Sequence, residues 1–343
     1  MNKPLLSVND LSITYRTRGR ENVLPALRRA TFDVERGETV GIVGESGSGK
    51  STLGNAILGL IPIQKGTVEV NGEDITHVSK HRRRELSRHI QGVFQDPYSS
   101  LNPTRTIGQS VAEGLTGIPG LGKSDITDRV ETMLDQVGLS PKMRAQYPLE
   151  LSGGQLQRVS IARAVIGSPE IVICDEVTSA LDLSVKAQII NLLQKLQSTY
   201  SLSLIFIGHD LPVVRLVSNR ILVMYKGLVM EEGDADQIYH DPLHPYSLAL
   251  IAASPVPDPE IQAKRRHGIL AVGDPSRTTN SAAPATPLPG HSCPFALRCA
   301  YVIPDCTTEL PRLNSISATH KVACVRVEEI QAKKLFHSDV VGS

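Results

Sequence analysis

No apolar run in the sequence approaches the roughly 18 to 20 residues that a membrane-spanning helix needs, so a membrane role requires a separate membrane partner. The opening residues, MNKPLLSVNDLS, lack the continuous apolar core of a secretory signal, which points to the cytosol. Net charge is also nearly absent: 36 Lys and Arg against 35 Asp and Glu leave +1, and no electrostatic reason to expect nucleic acid as a partner. No internal repeat and no sustained heptad pattern are present, which argues against a long coiled coil. Cysteine is scarce and unevenly spread, with four of the five at positions 293, 299, 306 and 324. Such a group reads as disulfides in an extracellular chain and as a metal or cluster site in a cytosolic one.

What is present is ordinary for a soluble globular protein, with 41% hydrophobic and 21% charged residues. A chain of 343 residues is long for one core, so a large domain with an appendage is expected. Short Val- and Ile-rich runs, TVGIVG (39–44), IQGVF (90–94), IVICD (171–175) and LSLIFIG (202–208), read as buried strands. Helical patterns such as DRVETMLDQVGL and VKAQIINLLQKLQ lie between them. The alternation predicts an α/β domain with a largely parallel sheet. In GTVEVNGEDI, Asn71-Gly72 suits a type I′ hairpin turn, so a smaller antiparallel portion is expected as well. Residues 105–150 contain no strong strand and read as a helical insert. The basic cluster His81-Arg82-Arg83-Arg84 reads as a solvated helix face. Near 255 the texture changes to Pro, Ser, Ala and Thr, which disfavours a packed core. The predicted organisation is one large α/β domain over 1–255, with a helical subdomain at about 105–165, then a linker and four-cysteine extension over 256–343.

GESGSGKS follows a predicted strand and precedes a helical pattern, the context a phosphate-binding loop requires. Gly44, Gly47 and Gly49 let the backbone curl so that N–H groups of Glu45, Ser46, Ser48 and their neighbours can point at phosphate oxygens. Lys50 adds a charge for the outer phosphates, Ser51 offers a hydroxyl to Mg²⁺, and Thr52 continues the helix whose dipole favours an anion. IVICDE ends a strand in two carboxylates: Asp175 is placed for the magnesium and Glu176 to orient or deprotonate an attacking water. In LSGGQLQR, Ser152 can cap a helix starting at Gly153, and Gly153 and Gly154, followed by Gln155, permit close approach of a phosphate.

These three motifs, in this order, resemble the ATP-binding subunits of ABC transporters over roughly residues 5–250. The resemblance implies a P-loop ABC ATPase fold, a mixed sheet with a helical subdomain, hydrolysing ATP with Mg²⁺. It also implies that Ser152–Gln155 face the γ-phosphate held by a partner subunit. Position by position it assigns Tyr15 to adenine stacking, Gln95 of VFQDP to the loop that approaches Mg²⁺ and borders the membrane subunit, Asp182 of SALD to the dimer seam, and His209 of IFIGHD to the γ-phosphate switch.

FQDPYSSLNP and HPYSLALIAASP resemble the oligopeptide/dipeptide import subfamily more closely. The resemblance implies a peripheral subunit on the cytoplasmic side of the inner membrane. Its expected partners are a second ATP-binding subunit (copy or paralogue), two transmembrane permease subunits and an extracytoplasmic solute-binding protein, with no nucleic acid. Nickel, glutathione or oligosaccharide import are alternatives within the subfamily, and an exporter is a further one. For Cys293, Cys299, Cys306 and Cys324, zinc, disulfides and free thiols stand as alternatives to an iron–sulfur site; the subfamily resemblance favours a [4Fe–4S] cluster. Cys174, within a predicted strand, reads as a small buried hydrophobe.

Overall fold

The structure is a computed structural model that describes residues 3–16, 23–179, 181–254 and 292–332. The boundary expected near 255, the Pro-rich stretch 276–290 and Ala180 of SALD lie outside the described residues. In chain order the strands are β1 Leu6–Arg16, β2 Val23–Val34, β3 Thr39–Val43, β4 Lys65–Val70, β5 Glu73–Asp74, β6 Ile90–Val93, β7 Ile171–Asp175, β8 Ser203–Gly208, β9 Arg220–Tyr225, β10 Leu228–Asp234, β11 Asn314–Ser315 and β12 Lys321–Val322. Described residues of Met1–Leu11, Phe32–Thr39 and Ser51–Gly208 form one compact unit, and those of Ser12–Thr31, Val40–Lys50 and His209–Ser343 form a second.

The first unit is built on parallel strands in the order β6–β7–β8, with Asp175 in register with Ile207. All six residues of β8 and the first four of β7 are buried, because a parallel strand covered on both faces reads as a continuous apolar run. The helix Leu183–Tyr200 links β7 to β8 and buries Ile189, Leu192, Leu193 and Leu196 on one face. β1 and β2, which run on into the second unit, join β4 and β5 in the order β2–β1–β4–β5. Asn71 and Gly72 both adopt positive φ, 54° and 77°, as a type I′ turn requires, and the hairpin β4–β5 closes over them.

Among the described residues 105–150 hold no strand. They carry helices Ile107–Ala112 and Lys123–Gln136 and short 3₁₀ turns, the helical insert expected from the sequence. Helix Gly153–Val165 is tied to its surroundings by two arginines. Arg163 donates to the Ser100 carbonyl at 2.7 Å, and Arg158 donates to the Val137 carbonyl at 2.6 Å. In the basic cluster only part of the solvated-face reading holds. Arg82 bridges Glu73 and Glu85, while Arg83 turns inward and donates to the Ile75 carbonyl at 2.7 Å.

In the second unit β3 pairs parallel with β9, so Val43 lies beside Val223 and the loop after β3 emerges near Tyr225. β9 and β10 are antiparallel, with a bulge that leaves Met230 without a partner on β9. Beyond the bulge Glu231 is fully buried, and its carboxylate accepts from the Leu243 and His244 N–H groups and bonds to His320 Nε2 at 2.7 Å. β12 pairs with β10, and Leu243, Val322 and Val327 form one apolar cluster. Val322 and Val327 of the C-terminal segment thus bury against Leu243. Among the described residues no helix is long and apolar enough to cross a membrane.

Candidate functional site

The glycine-rich loop leaves β3 at Val43 and enters the helix Lys50–Ile57. Gly44 has φ +154°, and a Cβ there would lie 2.1 Å from the Met224 carbonyl oxygen. At Gly49, with φ +103°, a Cβ would meet the Ala26 carbonyl at 2.5 Å. Both positions therefore need glycine for conformation and for space. Lys50 is buried, and its ammonium donates to the Gly44 and Glu45 carbonyls at 2.8 and 3.1 Å, so the loop curls around its own cation. Ser46 and Gly47 are exposed at the tip, Ser48 is buried, and Thr52 is half-buried on the first helical turn. Tyr15, near the end of β1, exposes 47% of its surface, enough for a ring to take a planar ligand.

In the first unit Ser51 Oγ donates to Asp175 Oδ1 at 3.0 Å. Two hard oxygen donors are thereby brought together at the start of the helix, a donor set that fits Mg²⁺. Glu176 follows with φ +48°, a region costly for a non-glycine residue. Its N–H donates to the Ile207 carbonyl, and its own carbonyl accepts from the Ser179 N–H and hydroxyl, so the strained turn is held from both sides. Cys174, one residue before Asp175, is fully buried, and burial pushes its thiol up to about 12; it is the inert hydrophobe expected from the sequence. Gln95 is exposed just beyond β6, and His209 is exposed immediately after β8.

The signature loop is closed on itself. Ser152 Oγ accepts from the Gln155 N–H, and Gln155 Oε1 accepts from the Ser152 N–H, a reciprocal cap on the helix Gly153–Val165. Ser152 remains exposed. Gly153 has only Tyr98 near its open face, and Gly154 lies against the Val185 side chain. Asp182 caps the helix Leu183–Tyr200, accepting from Val185 N–H and Ser184 Oγ, and these bonds hold its carboxyl below the usual range. The neighbouring Leu183 is 83% exposed, an unusual position for a leucine with no partner chain.

Cys293, Cys299, Cys306 and Cys324 all line one small apolar cavity, together with His244 and Phe295. Burial pushes the Cys293 and Cys299 thiols up to about 12 and also raises Cys324. Backbone N–H groups of Phe295, Ala296, Tyr301 and Arg326 point at three of these sulfurs. Four soft donors on one dry cavity, with amides aimed at sulfur, fit a thiolate-ligated group in chemistry. Among the described residues no three His, Cys, Asp or Glu side chains are set to hold a metal ion.

Two residues that bond to the glycine-rich loop, Tyr246 and Arg298, were not among the site residues expected from the sequence. Tyr246 Oη accepts the Glu45 N–H at 2.9 Å, and its ring packs on Tyr225, with centroids 4.5 Å apart. Arg298 donates to both Glu45 carboxylate oxygens at 2.9 Å and to Tyr225 Oη at 3.1 Å. HPY was legible as a subfamily mark but not as a hydroxyl presented to the loop. Only the fold brings Arg298 to residue 45.

A family model of ABC transporters matches residues 27–179, and one of the C-terminal region of oligopeptide/dipeptide transporters matches residues 230–306. Over 336 residues the chain is 44% identical to the oligopeptide transport ATP-binding protein OppF of Salmonella typhimurium, covering 96% of this chain and 98% of the relative. This chain belongs to the ATP-binding proteins of ABC transporters. OppF of Haemophilus influenzae is 41% identical, with 94% of this chain and 97% of that one covered. Among solved structures, the ATP-binding cassette MJ0796 in a dimeric post-hydrolysis state bound to ADP and Pi aligns with TM-score 0.62 and 29% identity, over 67% of this chain and 98% of that one. CbiO1 of Clostridium perfringens, part of the ABC transporter complex cbiONQ, aligns with TM-score 0.61 and 28% identity, over 69% of this chain and 91% of that one. The protein is an ATPase with the ABC α/β fold.

Proposed function

We propose that this ATPase powers a peptide importer from the cytoplasmic face of the inner membrane, as a peripheral subunit paired with a second ATP-binding subunit beneath two permease subunits, with a solute-binding protein delivering the peptide. The observation that carries this reading is the near full-length identity to OppF, which includes the C-terminal region, combined with an undamaged set of nucleotide motifs. Lys50 and the loop Gly44–Ser51 hold the phosphates, with Tyr15 on the adenine. Ser51, Asp175 and Gln95 would hold Mg²⁺, which neutralises charge on the transferred phosphoryl group. Glu176 orients the attacking water and accepts its proton, and His209 holds the γ-phosphate and the glutamate in position.

Ser152–Gln155 and Asp182 act on the nucleotide of the partner subunit. The exposed Ser152 and Leu183 support a surface that a second ATP-binding subunit covers. A cleft of about 870 Å³ in the first unit, lined by Leu60, Phe94, Arg83 and Arg84 among others, lies next to Gln95 and is suited to receive a permease helix. Glu176→Gln should bind ATP with near-normal affinity yet hydrolyse it at least about a hundredfold more slowly, whereas Lys50→Ala should lose binding. Hydrolysis by Glu176→Gln near the wild-type rate in an assembled transporter would show that Glu176 has another role.

Cys293, Cys299, Cys306 and Cys324 would hold a [4Fe–4S] cluster, which supplies a structural crosslink to a segment with little core and a site open to oxidation. Protein purified without oxygen should be brown and contain iron and sulfide, and Cys299→Ser should lose both. Colourless protein with stoichiometric zinc contradicts this assignment.

A further inference from the structure

Glu45 of the glycine-rich loop is gripped at its N–H and at its carboxylate by side chains that lie far away in the chain. Its N–H donates to Tyr246 Oη at 2.9 Å. Its carbonyl accepts from Lys50 Nζ and from the Ser48 N–H, both at 3.1 Å. Its carboxylate is held by both terminal nitrogens of Arg298 at 2.9 Å, a fork-to-fork pairing that fixes direction as well as distance. Arg298 in turn stacks over Tyr225 and Phe295, 5.6 and 5.4 Å from the ring centroids, and its side chain is only 18% exposed. That guanidinium sits on the turn between Cys293 and Cys299, where the Ala296 N–H bonds back to the Cys293 carbonyl and the Arg298 N–H to the Phe295 carbonyl.

A loop built to take a polyanion carries a carboxylate at its second position, and an unpaired carboxylate there repels phosphate. We propose that Arg298 is a positioning residue for ATP. By clamping and neutralising Glu45 it sets the shape and charge of the loop, and through it the four-cysteine turn bears on nucleotide affinity. The inference rests on reading Gly44–Ser51 as the ATP loop. It predicts a pattern that mere support of the extension does not: removing the clamp exposes the carboxylate, and removing the carboxylate as well relieves the damage.

The test is the equilibrium affinity of the full-length chain for Mg-ATP, with turnover measured in the assembled transporter. Arg298→Met keeps the stem over Phe295 and discards the charge. It should raise the Kd, and the KM for ATP, about two- to tenfold, the range a partly exposed charge pair commands, while kcat changes less than twofold. Arg298→Lys should lie between wild type and Arg298→Met, since a point charge replaces a fork. Glu45→Gln combined with Arg298→Met should recover at least half of the lost affinity on a logarithmic scale. An unchanged Kd in Arg298→Met, or a double variant as weak as the single one, overturns the proposal. If Arg298→Met fails to fold, Arg298→Gln carries the same comparison. Lys50→Ala, measured alongside, separates the two readings: if it too keeps full affinity, the ATP-loop assignment itself has failed.

Discussion

Single residues in this ATPase are held in states that they would not choose alone. Glu176 at φ +48° persists because two hydroxyl and amide bonds from Ser179 and one bond to the Ile207 carbonyl over-determine its turn. His244 is fully buried against the cysteine cavity, and desolvation pulls its imidazole from 6.5 down to about 3, so it stays neutral and accepts the Tyr246 N–H through Nδ1. Unfolding frees this histidine to take a proton at its ordinary value. Its contribution is therefore intact above pH 6.5 and is lost as pH falls from there toward 3. His244→Asn keeps an acceptor for the cap and removes the titration. The stability of wild type relative to this variant should fall by about 2 kcal/mol between pH 7 and pH 5, read from denaturant midpoints at each pH. A difference that does not change with pH contradicts a buried neutral histidine.

At this scale the sequence was informative wherever a residue type is demanded by its own chemistry. Gly44, Lys50, Ser51 and Asp175 were singled out by type and spacing, and in the structure the Ser51 hydroxyl meets the Asp175 carboxylate. Arg298 and Glu231 were silent, because their partners lie 253 and 89 residues away and nothing local marks them.

Among elements, the parallel strands were legible because burial on both faces writes itself as an unbroken Val/Ile run, and the Asn71-Gly72 hairpin because its turn type admits few residues. The union of β12 with β10 was not legible. β12 is two residues long, and β10 carries two adjacent glutamates, Glu231 and Glu232, that look like solvated surface until His320 and Lys321 come to meet them. The helix Gly153–Val165 connects two parts of the mechanism. Its N-terminus presents the signature loop, and Arg163, whose guanidinium is depressed by burial, ties its last turn to Ser100, just beyond Gln95. A push on the segment after Gln95 thus has a short covalent and hydrogen-bonded route to Ser152.

The cap itself is weak, since the Ser152 Oγ to Gln155 N distance is 3.4 Å. Ser152→Ala should therefore cost the helix no more than about 1 kcal/mol, seen as a small drop in Tm. On the proposed reading, in which the same hydroxyl serves the partner's γ-phosphate, hydrolysis in the assembled transporter should fall more than about tenfold. A loss of activity no greater than the loss of stability accounts for would reduce Ser152 to a cap.

The nucleotide motifs of the whole molecule are complete and its relatives match it end to end. Its Ser152 and Leu183 are exposed, and the cleft beside Gln95 is lined by both apolar and basic side chains. The proposed reading gives each of these surfaces a different partner, another ATP-binding subunit for the first and a permease for the second. The most direct test of the central claim is peptide uptake into proteoliposomes that contain this chain, its permeases and the second ATP-binding subunit, with peptide-loaded binding protein outside the vesicle and ATP within. Uptake should follow ATP, hydrolysis should rise when peptide is delivered, and Lys50→Ala in this chain alone should abolish both. Uptake that persists with Lys50→Ala, or hydrolysis indifferent to peptide, would contradict its role as the motor of a peptide importer.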